Sequence, residues 1–136
     1  MSQDRNIAAA RQLLAHIGDG RDPEEIAALF SADAVLDIPG DHGVLPWIGG
    51  RRTGWDAVAG FFRDVRTLTE PVRFDVQDIL GSEQRAVILG ELATRIKATG
   101  AVIESPFAII LTVSDGEITG FRMLEDSFEV SRKARA

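Results

Sequence analysis

Cysteine and tyrosine are absent from the sequence, and histidine occurs only twice among its 136 residues, as His16 and His42. Without cysteine the chain forms no disulfide, binds no metal through thiolates and has no thiol nucleophile. Because a chain without cysteine suits a reducing compartment, we expect a cytoplasmic protein. The missing tyrosine and the lack of histidine beyond residue 42 exclude mechanisms that need a phenol donor or a histidine in the C-terminal two-thirds.

Long hydrophobic runs are also missing. No apolar stretch approaches the roughly 20 residues that span a bilayer, and the first residues contain no apolar signal core, so we expect no membrane association and no secretory leader. The net charge is −6, and the only basic cluster lies within residues 132–135. Since nucleic-acid binders carry a basic face for phosphate contacts, nucleic acid is not an expected partner.

The composition is ordinary for one folded domain. Hydrophobic residues make up 45% of the chain and charged residues 26%, and its length allows a sizeable core. We find no repeat, linker or low-complexity segment, and therefore treat residues 1–136 as a single domain.

The N-terminal part predicts two helices and a strand. Apolar residues three and four apart within residues 7–17 indicate an amphipathic helix. Asp22 followed by Pro23 is a typical start for a second helix, whose apolar stripe is expected to reach Phe30. A short strand is expected at residues 34–38, where Pro39-Gly40 stops it.

The remaining sequence predicts a loop, one helix, a run of strands and a final helix. The loop covers residues 39–53, and Thr53 is expected to cap the helix that follows. Alternating or continuous apolar patterns then predict strands at residues 72–76, 86–96, 101–113 and 118–124, with a terminal helix from Asp126 to about Lys133. Pro106 marks a bulge or an edge, and Asp115-Gly116 a hairpin turn.

Three segments carry a family resemblance. LFSADAVLDIPG, GRRTGWDAVAGFF and DGEITGFRMLEDSFEV together resemble the nuclear transport factor 2-like superfamily, especially its SnoaL-like branch. The resemblance implies an α+β, cone-shaped (cystatin-like) fold in which N-terminal helices pack on a curved, mostly antiparallel sheet. It further implies a pocket between helices and sheet for a small apolar molecule, and a homodimer formed through the outer sheet face.

Two chemistries of this superfamily do not fit the sequence. The ketosteroid isomerase positions for an Asp base, a Tyr and a second Asp correspond here to Ile38, to Leu13 or Leu14, and to Ala108. An enolisation site needs a proton acceptor and an oxyanion donor, and these residues supply neither. The limonene-type epoxide hydrolase set is also missing; its positions correspond to Leu36, Ile38, Leu92, Thr94 and Met123.

The third chemistry is kept in part. SnoaL-like cyclases use an acidic residue at the end of the last strand, and Asp126 of FRMLED matches that position, although the sheet contains no histidine partner. Asp126 is therefore the candidate acid, unless it only caps the final helix. His42, in the loop at the expected pocket rim, is a second candidate, with an exposed loop residue as the alternative.

The residues expected to line the pocket are mostly apolar. They are Leu14, Leu36, Ile38, Trp47, Trp55, Phe62, Leu92, Thr94, Phe107, Ile109 and Met123. We expect no cofactor. We also expect no metal ion, because Asp41 and His42 alone are too few metal ligands. Two functions remain open: a cofactor-independent acid/base enzyme, of cyclase or isomerase type, on an apolar cyclic or polyketide-like carbonyl compound, or a non-catalytic ligand-binding or accessory domain.

Overall fold

The structure, a computed structural model, describes residues 2–135 as helices followed by a curved six-stranded sheet. The sheet order is β2-β1-β6-β5-β4-β3, with only the β1–β6 pair parallel. The predicted α+β architecture with a mostly antiparallel sheet is confirmed. The elements are α1 (Ser2–Gly18), α2 (Pro23–Ala27), β1 (Phe30–Asp37), β2 (Arg51–Thr53), α3 (Trp55–Leu68), β3 (Thr69–Gly81), β4 (Arg85–Ile96), β5 (Val102–Ser114), β6 (Glu117–Glu125) and α4 (Ser127–Arg135).

The second helix is shorter than its apolar stripe predicts. It ends at Ala27, and Phe30 begins β1 instead of extending the helix. The main chain explains the switch, because the amide of Ile118 in β6 donates to the carbonyl of Leu29, which recruits the following residues into the sheet. Tertiary pairing therefore overrides a helical pattern of only two turns.

The loop prediction is wrong at its end. Residues 51–53 form the short strand β2, which pairs with the end of β1. Arg51 lies opposite Asp37 in this pair. The predicted cap at Thr53 is also wrong, since Gly54 occupies the N-cap position of α3 with a φ of 103° and no side-chain cap bond. A positive φ of this size favours glycine, which explains the residue found there.

The first long strand differs most from its prediction. It extends over Thr69–Gly81, is an edge of the sheet, and is exposed along most of its length. Phe74 and Val76 remain 45% and 40% exposed, although their alternation predicts a half-buried strand. Irregular pairing with β4 near residues 72 and 77 distorts the strand, as is common at sheet edges.

The later strands agree with the sequence. Asp115 and Gly116 have φ values of 51° and 82°, which is the mirror-image turn expected of a two-residue hairpin. Pro106 lies just before the point where β5 begins to pair with β6, so β5 has only one neighbour there. Its missing N–H therefore breaks no bond to β6, which is the edge position the sequence predicts.

The core lies between the sheet and the helices, on what we call the inner face. Phe121 of β6 meets Phe30, Phe61 and Phe62 with ring centroids 5.6–6.3 Å apart. All four rings are at most 7% exposed. The opposite side, the outer face, carries residues such as Ile110 and Arg122 that alternate with the core positions.

Candidate functional site

The last residue of β6, Glu125, places its carboxyl group on the inner face. Alternation along β6 puts Met123 and Glu125 on the same side as Phe121, whose ring packs against Phe61 of α3. Glu125 is the last residue of β6 and lies directly opposite Phe107 of β5.

Glu125 is partly buried. Burial raises the pKa of its carboxyl group from 4.5 to about 7, because the charged form loses its contact with water. Desolvation is the only cause, and no other described residue contributes a hydrogen bond or a charge to the shift. A carboxyl group of this kind exchanges its proton near neutral pH, as a general acid or base requires.

Asp126 has a different environment, although it is the next residue. Its side chain is exposed, and its Oδ1 accepts a 3.1 Å hydrogen bond from the amide of Glu129 in the first turn of α4. Its own amide donates to the Oγ of Ser105 at 2.8 Å. The predicted helix cap is therefore present, and the exposure of Asp126 does not favour an acid/base role.

His42 lies in an exposed part of the loop that follows β1. Its ring and Cα pack over Gly49, where an added Cβ would lie 2.8 Å from His42 atoms. The neighbouring Asp41 binds α4 instead, accepting bonds from Ser131 at 2.5 Å and Arg135 at 2.8 Å. These two hydrogen bonds hold the pKa of Asp41 below its ordinary value.

The predicted pocket residues form part of the packed core. Seven of them are at most 8% exposed: Leu36, Ile38, Trp47, Phe62, Leu92, Phe107 and Ile109. Leu14 and Met123 are partly buried against the same core. Thr94 also lies on the inner face, opposite Ile103, and is partly buried.

Trp55 differs from the other predicted lining residues. Its side chain is 50% exposed, and its Nε1 donates a 2.8 Å hydrogen bond to the carbonyl of Phe30. The indole therefore ties the start of α3 to the start of β1.

Two open hollows lie along the sheet. The first, of about 320 Å³, is on the outer face beside Ile110 and Thr112, and three arginines, Arg51, Arg85 and Arg122, border it. The second, of about 440 Å³, is bordered by Pro106, Phe107, Ala108, Leu124, Glu125 and Asp126. Of the predicted lining residues, only Phe107 borders either hollow.

Asp37 has the structural role that strand alternation suggests. Its carboxylate accepts hydrogen bonds from Arg122 at 2.8 Å and 3.1 Å, and Arg51 lies 3.8 Å away. The pairing links β1, β2 and β6 on the outer face.

Within residues 2–135, no three His, Asp or Glu side chains are grouped so as to hold a metal ion. None of the described helices combines the length and apolar character that crossing a membrane demands.

Glu125 and Phe74 are the inner-face residues that sequence reasoning missed. The signal for Glu125 was available, because counting by twos from the buried Phe121 reaches Met123 and then Glu125, whereas Asp126 lies outside the strand. The exposure of Phe74 had no such signal, since the same alternation fits a covered strand and an open one.

Comparisons with known proteins agree with this fold. The chain matches the SnoaL-like domain family over residues 10–121. A search of curated proteins finds no match. Among solved structures, an NTF2-like protein of Burkholderia xenovorans superposes with a TM-score of 0.86 at 22% identity, covering 98% of both chains.

Two further structures carry functional descriptions. A candidate SnoaL-like polyketide cyclase of a Jannaschia species has a TM-score of 0.77 at 13% identity, covering 98% of this chain and 94% of that one. An LEH-like epoxide hydrolase of M. tuberculosis has a TM-score of 0.72 at 16% identity, covering 99% and 92%. At these identities the similarity concerns the fold.

Proposed function

The chain belongs to the SnoaL-like domain family, and from this premise we propose that it is a cofactor-independent acid/base enzyme with Glu125 as its proton donor and acceptor. The substrate is an apolar cyclic or polyketide-like carbonyl compound. One observation carries the proposal: a desolvated carboxyl group at the end of β6, on the inner face, whose pKa is about 7.

The chemistry follows from that single carboxyl group. As a carboxylate, Glu125 removes a proton from the carbon next to the carbonyl, and the electron pair of the C–H bond moves into the enolate. As the resulting acid, it returns the same proton to carbon or oxygen. With no tyrosine in the chain and His42 exposed, neither a phenol nor a buried imidazole stabilises the enolate, so the substrate is an activated carbon acid.

A second function has its own support. Asp126, the residue that matches the family acid, caps α4, and the predicted pocket residues pack into the core. Both observations favour a non-catalytic domain that binds an apolar ligand or serves as an accessory subunit. Such a domain needs no proton transfer.

Proton exchange on a ketone separates these functions. We would follow the C1 protons of 2-tetralone by NMR in D₂O, with wild type, Glu125→Gln and Asp126→Asn. If Glu125 is the acid, wild type and Asp126→Asn accelerate deuterium uptake over buffer, and Glu125→Gln gives the buffer rate.

Each other outcome contradicts this assignment. Full exchange by Glu125→Gln would remove Glu125 from the chemistry. Loss of exchange only in Asp126→Asn would restore the acid that the family match suggests. Binding of the ketone by wild type without any acceleration would support the non-catalytic function.

We also propose that two copies associate through the outer face. The apolar residues that support this are Val35, Leu80, Val87, Leu89, Ile110 and Leu124, of which Leu80 and Leu124 are 49% and 40% exposed.

Ile110→Glu, at the centre of the outer face, is expected to give a monomer in analytical ultracentrifugation. Phe128→Glu, an exposed position on α4, is the control and should leave the assembly unchanged. A monomeric wild type, or an unchanged Ile110→Glu dimer, would contradict the proposal.

A further inference from the structure

A buried hydroxyl group lies close to the point where the chain leaves β6. Ser105 of β5 is 5% exposed and belongs to an inner-face row whose neighbouring members, Ile103, Phe107 and Ile109, are apolar and equally buried. A hydroxyl group in such a row is costly unless it is hydrogen-bonded. Its hydrogen bonds therefore indicate what the serine does.

The hydroxyl group of Ser105 binds the main chain on both sides of its oxygen. It accepts a 2.8 Å hydrogen bond from the amide of Asp126 and donates one of 2.6 Å to the carbonyl oxygen of Pro106. Asp126 is the first residue after β6, and the β5–β6 pairing ends just before it, where Glu125 lies opposite Phe107. The serine thus supplies a partner for an amide that has left the sheet.

The same bond fixes the start of α4. Among the described strands, residues 102–106 of β5 pair with β4 alone, and α4 packs against β5. At the other end of α4, the hydroxyl group of Thr99 donates a 3.0 Å hydrogen bond to the carbonyl of Lys133. Val130, between these two ends, is 2% exposed. Two hydroxyl groups of the β4–β5 hairpin therefore hold the two ends of the helix.

Glu125 lies directly beside the first of these bonds. Its own main chain is held by the pairing with Phe107, and the next residue, Asp126, is held by Ser105. Because the backbone is fixed on both sides of Glu125, the direction in which its side chain leaves the strand is fixed as well.

Charged neighbours do not account for the state of this carboxyl group. Asp126 caps the amide of Glu129, the carboxylate of Glu129 pairs with Arg132 at 2.6 Å, and Glu104 lies on the opposite side of β5 from Ser105. Burial alone raises the pKa of Glu125. That pKa therefore depends on where the backbone places the carboxyl group.

We propose that Ser105 is a positioning residue for Glu125, whose carboxyl group it keeps in its partly buried place by fixing the junction of β6 and α4. This inference rests on the proposed acid/base function. Ser105 acts through the main chain of Asp126. Without the hydroxyl group this amide needs a water molecule as its partner, and water that enters the junction also hydrates the adjacent carboxyl group.

Variants at the two ends of α4 test the proposal. Ser105→Ala removes the first hydroxyl group, Ser105→Thr keeps it, and Thr99→Val removes the second. We would titrate Glu125 in each by carbon-13 NMR and follow the pH dependence of deuterium uptake by 2-tetralone. Ser105→Ala should lower the midpoint by roughly one pH unit or more, a tenfold loss of proton affinity, and shift the exchange profile equally. Ser105→Thr and Thr99→Val should keep the wild-type midpoint near 7.

Two further measurements apply if Ser105→Ala does not fold. Ser105→Cys has a similar shape but a weakly hydrogen-bonding thiol, and its midpoint should also fall. In the wild type, the amide of Asp126 should exchange with D₂O roughly tenfold or more slowly than a free amide, because it is hydrogen-bonded.

Several results would overturn the inference. An unchanged midpoint in folded Ser105→Ala or Ser105→Cys would leave Ser105 a purely structural residue, and an equal fall in Thr99→Val would assign the effect to α4 as a whole. A rapidly exchanging Asp126 amide, or a wild-type midpoint already near 4.5, would also contradict it. Failure of the proposed function is distinct, because it appears as unchanged exchange by Glu125→Gln, whatever the midpoint in the Ser105 variants.

Discussion

The two halves of the sheet differ in what covers their inner face. Around β1 and β6, the rings of Phe30, Phe61 and Phe121 meet in a closed aromatic cluster, none more than 6% exposed. Around β3, by contrast, Phe74 and Val76 remain 45% and 40% exposed. Glu125 and Phe107 lie between these halves, at the boundary of the packed region.

This difference in coverage suggests that the closed half stabilises the fold and that the open half is the one available for binding. The closed half buries enough apolar surface to hold the fold, and a polar group within it would be costly. The open half contributes less to stability but leaves an apolar surface accessible to a ligand. A carboxyl group lies at the boundary, where burial raises its pKa.

The largest expected effect is on stability, in the closed half. Phe121→Ala removes a buried ring that contacts three others, and should lower the free energy of unfolding by about 3–5 kcal/mol. Phe74→Ala removes a half-exposed ring and should cost about 1 kcal/mol. Urea denaturation measures both, and similar losses would erase the contrast between the halves.

The boundary itself should give a pH-dependent effect. The pKa of a glutamate is 4.5 in the unfolded chain, and that of Glu125 is about 7 in the folded protein. This difference lowers the free energy of unfolding by about 3 kcal/mol once the carboxyl group is ionised. Below pH 4.5 both states are protonated. Between pH 4.5 and 7 the unfolded chain loses its proton first, so the fold loses stability as the pH rises, and above 7 the loss is constant.

Glu125→Gln should remove this pH dependence. We expect the variant to match wild type near pH 4 and to exceed its stability by up to about 3 kcal/mol at pH 8. Thermal or urea unfolding across this range provides the measurement, and Asp126→Asn serves as the neighbouring control. Parallel pH profiles for wild type and Glu125→Gln would show that Glu125 is hydrated.

Gly90→Ala tests the stack of Phe74 on Phe107, which joins the two halves across β4. The new methyl group would collide with the Phe107 ring and with the Asp75 carbonyl oxygen, so β3 and β4 must separate. We expect a loss of about 1–3 kcal/mol, typical of overpacking. Gly60→Ala is the control, because nothing lies within 4 Å of a Cβ at that helical position. A neutral Gly90→Ala would mean that the stack moves freely.

The smallest effect concerns the helix cap beyond the boundary. Asp126→Ala removes the bond to the Glu129 amide and should cost about 1 kcal/mol. Urea denaturation measures this loss, and Asp126→Asn, which keeps a capping oxygen, should restore most of the stability. If both variants cost the same, the charge of Asp126 rather than its cap matters.

Sequence patterns predicted the features of the fold that depend on interactions between neighbouring residues. The hairpin at Asp115-Gly116 and the cap at Asp126 depend on neighbours in sequence. The strand at Phe30 and the short β2 depend on pairing with distant segments, so a local pattern misplaced both.

The site was harder to predict than the fold. A residue-by-residue match favoured Asp126, because family motifs mark the end of the strand but not which carboxyl group faces the core. Alternation from Phe121 identifies Glu125, yet only the packing of the helices establishes that this side is the dry one. The solvent exposure of Phe74 on β3 depends on which helices cover that strand, and the periodicity of the sequence does not indicate this.

The most direct test is a titration of Glu125 itself. Carbon-13 NMR of the side-chain carboxyl groups, assigned with Glu125→Gln, reports the protonation of this residue in the folded protein. We expect a midpoint near pH 7 for Glu125. A midpoint near 4.5 would mean a hydrated surface carboxylate and would contradict the assignment of Glu125 as the acid of this site.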